Sequence, residues 1–177
     1  MSTLVHTVGH ANLPAARLAE LLDGVGVRRV VDVRSFPGSR RNPHFGSAEL
    51  AGWLPGYDLG YTWLRDLGGR RRARPDSPHT SLRHPAFRGY ADHMDGAQFR
   101  AAVDELLVLA SAEPLTVMCS ESLWWRCHRR LLADYLQLVR GVDVRHVMPD
   151  GRVTPHPPTD GVRVAGDRLI YDAPVRG

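Results

Sequence analysis

The 177-residue chain contains no lysine: all 23 of its Lys-plus-Arg positions are arginine. Guanidinium is planar, always charged and shaped to grip phosphate or carboxylate with two hydrogen bonds. Cysteine is nearly as scarce, with two residues. The opening MSTLVHTVGH lacks the basic start and apolar stretch of a secretory signal. Reduced thiols in a cytoplasm are therefore expected, rather than a disulfide scaffold. No apolar run approaches the ~20 residues of a membrane span, so no membrane is expected as partner. The absence of GxxxxGK(S/T) removes support for a P-loop, and that of GxGxxG counts against a dinucleotide fold. No GxSxG elbow occurs either. The two cysteines are not spaced as CxxC, and no second pair completes a structural zinc site. A mononuclear metal held by Cys119, Cys127 and a histidine is the one metal reading left open, and no cofactor is implied by motif.

What remains is ordinary for a globular chain: 43% hydrophobic, 24% charged, net charge +4 at pH 7. A modest positive charge is compatible with a nucleotide, a nucleic acid or another anion. The length suits one α/β domain over residues 1–177, with a core at about 3–148 and a proline-rich extension and hairpin at 149–177. Composition says nothing of oligomeric state.

The stretch Leu115–Arg130, LTVMCSESLWWRCHRR, holds both cysteines. It starts as a buried-strand run and turns polar at Cys119-Ser120-Glu121-Ser122. After Trp124-Trp125 it enters a helical pattern with Arg126, Cys127, His128 and Arg129. Upstream, Leu4–Val8 reads as a strand, Pro14 to Leu22 as a helix closed by Gly24 and Gly26, and Arg29–Val33 as a second strand. That is a β-α-β unit, so the strands are expected parallel. Parallel strands bring His10, then Asp32, Arg34, Ser39 and Arg40, then Cys119 and Glu121, to one sheet edge, where open α/β folds bind ligands.

Further on, Ser47 reads as a helix N-cap, and Tyr57–Leu67 as a short strand or extended pass. Arg70–His84 reads as a flexible basic loop. Phe87, Tyr90 and Met94 take helical spacing. Asp95 with Gln98 suggests a capping box for a helix Ala97–Ala112. Val142–Met148 is expected as a last parallel strand, Pro149–Asp160 as a loop, and Val162–Val164 with Leu169–Tyr171 as a hairpin. The fold class is thus α/β, a mostly parallel sheet with helices on both faces and a small C-terminal hairpin.

The chemistry suggested is an anion pocket with a thiol. Cys119, Glu121, His10 and His128 are the candidate catalytic residues. Arg34, Ser39, Arg40, Asp32, Arg126, Arg129 and Cys127 are the candidate anion- or substrate-binding residues. Thr7-Val8-Gly9-His10, Asp32-Val33-Arg34 with Pro37, Ser39 and Arg40, Cys119-x-Glu121 and Cys127-His128-Arg129 together resemble the bacterial domain-of-unknown-function family 488, over roughly Thr3 to Arg145. The resemblance implies a compact α/β domain and supplies no established reaction. By analogy with relatives it leans toward nucleotide or nucleic-acid processing, DNA repair included. Ala11 stands where serine often follows the histidine, which counts against a mechanism needing a hydroxyl beside His10. Ser120 replaces a small apolar residue. The expected function is an enzyme on a nucleotide or nucleic acid. The alternatives are a non-catalytic nucleic-acid-binding module and a sulfur-transfer protein with Cys119 as persulfide carrier.

Overall fold

A computed structural model describes residues 2–176. The first strand, β1 (Leu4–Gly9), is buried from Val5 onward, as expected of a strand covered on both faces. Pro14 sets the extended entry to α1 (Ala15–Gly24), which buries Leu18, Ala19, Leu21 and Leu22. Gly26, at φ 75°, turns the chain back into β2 (Arg29–Asp32). Next come α2 (Ser47–Trp53) and β3 (Gly60–Trp63). They are followed by α3 (Pro85–Met94) and α4 (Ala97–Ala112). The strand β4 (Leu115–Cys119) is buried throughout and leads to α5 (Arg129–Leu138) and β5 (Asp143–Val147). The chain ends with β6 (Val153–Pro155), β7 (Val162–Ala165) and β8 (Arg168–Tyr171).

The six-stranded sheet runs β3-β2-β4-β1-β5-β6, and β7-β8 is a separate antiparallel hairpin. All pairings among the first five strands are parallel, and β6 alone is antiparallel. The fold is therefore α/β, as the sequence pattern leads one to expect. One face packs α1 and α2 through Leu18, Leu22, Leu50, Val30 and Met118. The other packs α3, α4 and α5 through Phe99, Val103, Leu131, Val117 and Val144. The helix after β1 and the helix after β4 thus leave adjacent strands toward opposite faces. That divergence opens a crevice beyond the carboxyl ends of these two strands.

Four local details differ from the sequence reading. Gly46 caps α2 and Ser47 is its first residue. Gly96, not Asp95, caps α4, and its cap makes no side-chain hydrogen bond. Asp95 ends α3 and accepts a two-pronged bond from Arg168 of the hairpin, at 3.0 and 2.9 Å. A bidentate ion pair is worth more than one capping bond, so it wins the carboxylate. The stretch 149–160 is not all loop, since Thr154 pairs with His146 across β6 and β5. Finally, residues 70–84 lack regular structure yet are anchored. Asp92 accepts from Arg74 N and Ser77 Oγ, both at 2.9 Å, and His79 is fully buried. No helix among the described residues is long and apolar enough to cross a membrane.

Candidate functional site

The register Gly9 to Cys119 and Asp32 to Met118 aligns three strand ends side by side. Past the strands the ladder continues, with His10 N donating to Cys119 O and Ala11 N to Ser120 O, both at 2.9 Å. The three loops therefore line one cleft of about 870 Å³, walled by His10, Arg34, Phe36, Ser39, Arg40, Arg41, Arg70, Cys119, Cys127 and His128. Gly69 adds to the wall, and Gly68 packs against Ser35 beside it. A Cβ on Gly68 would lie 2.4 Å from Ser35 Oγ, and one on Gly69 2.8 Å from His128 Nδ1.

Arg34 does not present a free charge to this cleft. Its Nε and Nη2 donate to the two Asp32 oxygens at 2.8 and 2.6 Å. Nη2 also reaches Phe45 O at 2.7 Å, and the Tyr61 hydroxyl donates to Asp32 at 2.6 Å. Arg34 Nη1 donates to His10 Nε2 at 3.2 Å, so the other ring nitrogen, Nδ1, carries the hydrogen donated to Ala11 O at 2.8 Å. Burial, aided by the Arg34 charge, pushes His10 down to about 4. Near neutral pH it is an uncharged ring with both nitrogens engaged. Arg40, Arg41 and Arg70 are different: all three are exposed and none is ion-paired among the described residues. Ser39 Oγ holds the turn beneath them by accepting Asn42 N at 2.9 Å.

The thiols lie at the cleft floor. Cys119 Sγ is 2.8 Å from Cys127 Sγ, and both cysteines are free. Arg129, only 1% exposed, donates Nε to Cys119 Sγ at 3.0 Å and Nη1 to Thr7 Oγ1 at 3.1 Å. Its Nη2 meets Glu121 O at 2.5 Å. No carboxylate touches it among the described residues. Gly9 makes this approach possible, because a Cβ there would lie 1.7 Å from Glu121 O and 2.8 Å from Arg129 Nη2. His128 Nε2 donates to Val33 O at 2.6 Å, which leaves Nδ1 as a lone pair facing Cys127 Sγ at 3.3 Å. Burial keeps His128 below its ordinary range.

The two thiols are driven apart. Burial pushes Cys119 well up, with the Cys127 hydrogen bond adding to it. Burial raises Cys127 too, but the bond from Cys119 and the charge of Arg129 outweigh it and leave the thiol at about 7.

Behind Arg129 runs a buried chain that the sequence reading missed. Thr7 Oγ1 is 2.6 Å from His146 Nδ1, His146 Nε2 is 2.8 Å from His156 Nδ1, and His156 Nε2 is 2.7 Å from Asp134 Oδ1. With Asp134 as the final acceptor, every bond donates in one direction, from guanidinium to carboxylate. Tyr171 of β8 donates to the other Asp134 oxygen at 2.9 Å, and Trp124 stacks on His146 at 4.2 Å. Nothing local in a strand histidine and a loop histidine announces such a pairing.

Not every expected residue reaches the main cleft. Glu121 and Arg126 line a neighbouring cavity of about 240 Å³ with Phe87 and Tyr90, which shares Cys127 and His128 with the first. The Glu121 carboxylate accepts Leu123 N at 3.1 Å, holding its own loop. Phe36, missed as well, is 63% exposed, with the Arg70 guanidinium 5.8 Å from its ring centre. Among the described residues no group of three or more His, Cys, Asp or Glu is arranged to hold a metal ion.

A family model described as "Domain of unknown function DUF488" matches residues 14–136. No curated protein and no solved structure gives a significant match. His146, His156 and Tyr171 thus lie outside the matched segment, while Asp134 and the thiols lie within it.

Proposed function

The chain belongs to the DUF488 family, and from that premise we propose that it is an enzyme that turns a cysteine thiolate on a nucleotide or nucleic acid held in the arginine-rimmed cleft. The observation that carries this reading is the fully buried guanidinium of Arg129, bonded to a thiol and to no carboxylate. A buried charge without a counter-ion is costly. A single negative charge shared by Cys119 and Cys127 offsets it, which means that the resting site already holds a nucleophile.

Cys127 is that nucleophile. In its thiol form Cys127 donates to the His128 Nδ1 lone pair, which gives the proton a path out as the thiolate forms. Cys119 steadies the thiolate from behind. Arg40, Arg41 and Arg70 supply unpaired guanidiniums for phosphate. Phe36 offers a flat face on which a base can stack. A cleft of about 870 Å³ falls within the range that accommodates small ligands, ~300–1,000 Å³. Nucleic-acid processing, DNA repair included, is the setting this chemistry fits.

Binding of a labelled single-stranded oligonucleotide and of a labelled nucleotide, at two salt concentrations, tests the substrate class. Binding that weakens about tenfold in Arg40→Ala/Arg41→Ala, and steeply with salt, supports it. Binding that is absent, or indifferent to both, contradicts it. A binding module without chemistry would give the same titrations but an unreactive Cys127.

A further inference from the structure

The reaction above needs one thiolate, yet the fold delivers two cysteines from different elements to within 2.8 Å of each other. Cys119 ends β4, and Cys127 lies just before α5. Between them runs a loop with a single tight turn, Trp124–Arg126, rather than a strand or long helix that would resist a small shift. A disulfide requires a sulfur separation of about 2.05 Å, so closure calls for a movement of less than ~1 Å. Both cysteines border the open cleft, and Cys127 borders the neighbouring cavity too. At 2% and 8% exposure, they are within reach of a small oxidant and shielded from a bulky one.

We propose that Cys119 and Cys127 form a two-electron redox couple, in which the Cys127 thiolate reduces a small hydroperoxide and Cys119 closes the product to an intrachain disulfide. This rests on the thiol site described above and not on its nucleotide substrate. In the first step Cys127 Sγ attacks the terminal peroxide oxygen. The O–O bond breaks, its electron pair leaves on the alkoxide or hydroxide, which takes a proton from solvent, and Cys127 becomes a sulfenic acid. In the second step Cys119 Sγ attacks the Cys127 sulfur. The S–O bond breaks, and the departing hydroxide takes the Cys119 proton as water. The two sulfurs together give up two electrons, and the hydroperoxide becomes an alcohol or water. A dithiol such as dithiothreitol reverses the cycle by exchange. The division of labour follows from the contacts: His128 faces Cys127, the attacking sulfur, while Arg129 holds Cys119 in place for the second step.

The test uses the full-length chain and hydrogen peroxide, with free-thiol titration and intact mass as readouts. The couple predicts that two thiols fall to none, that the mass drops by two hydrogens, and that dithiothreitol restores both. Cys119→Ser should stop at a Cys127 sulfenic acid, one oxygen heavier and trapped by dimedone. Cys127→Ser should react at least about tenfold more slowly. Addition of two or three oxygens without loss of two hydrogens in the wild-type chain would overturn the proposal, as would equal rates in the two variants. The wild-type mass needs no variant to fold. Oligonucleotide and nucleotide binding measured on the same samples separates the two claims. A disulfide without binding leaves the couple standing and removes the nucleotide reading, and binding without a disulfide does the reverse.

Discussion

Arg129 Nε lies 3.0 Å from Cys119 Sγ, and this fully buried guanidinium has only neutral oxygens as its other partners. Its nearest carboxylate along the hydrogen-bond chain is Asp134, reached through Thr7, His146 and His156. The thiol pair is therefore the group in direct contact that can balance its charge.

Replacing Arg129 by Met removes that charge and takes a donor away from Thr7 Oγ1 and from the Glu121 and Ser122 carbonyls. Alkylation of Cys127 by iodoacetamide should then lose its midpoint near 7 and move toward the ordinary thiol range, about 8.5. Urea unfolding should show a loss of about 2–4 kcal/mol. An unchanged alkylation profile in a folded variant would mean that Arg129 does not tune the thiols.

Gly9→Ala tests the close approach at the end of β1. The added carbon would meet the Glu121 carbonyl at 1.7 Å, and backbone cannot yield as a side-chain tip can. The expected cost is about 3 kcal/mol or more, read by thermal unfolding, together with a slower Cys127 alkylation as the loop carrying Arg129's acceptor is pushed away.

Much of this was legible in the chain itself. Short runs rich in β-branched residues at Leu4–Val8, Arg29–Val33 and Leu115–Met118 marked three strands. Taken as parallel neighbours, as the structure has them, they bring His10, Asp32 and Cys119 to one edge. What the pattern could not carry was partner choice. Arg34 looks like an anion clamp until Asp32, two residues away, is seen to occupy it. Glu121 looks like a base, but its carboxylate turns back to Leu123 N. The Asp95 and Gln98 spacing suits a capping box, yet Arg168, far along the chain, takes the carboxylate. Local sequence encodes which element forms; side-chain partners separated by tens of residues are decided by packing. For the same reason the His146–His156–Asp134 chain was invisible.

Asp134→Asn tests that chain. The carboxylate accepts from His156, Thr159 N and Tyr171, so the amide leaves at least one buried donor facing another. We expect a loss of about 2–4 kcal/mol, read by urea unfolding. Protection of the amide hydrogens in β8 should fall in hydrogen exchange, since Tyr171 loses its anchor.

Acid should destabilise the fold before carboxylates titrate. Burial, with the neighbouring charges of His156 and Arg129 adding to it, pushes His146 down to about 3, and His10 is held at about 4. An unfolded histidine takes its proton near 6.5, so between about 6.5 and 4 the unfolded chain binds more protons than the folded one, and stability falls as pH falls. Melting temperatures measured from pH 7 to 4.5 should decline steadily. In His146→Gln the decline should be shallower, even where that variant starts from a lower value at pH 7.

A thiolate titration by ultraviolet absorbance near 240 nm on the reduced chain decides whether the cleft holds a ready nucleophile. One of the two thiols should ionise with a midpoint near 7, Cys127→Ser should abolish this step, and the other thiol should stay protonated well beyond it. Two thiols ionising together in the ordinary range, about 8.5, would show that Arg129 is balanced by no thiolate and that the cleft holds no ready nucleophile.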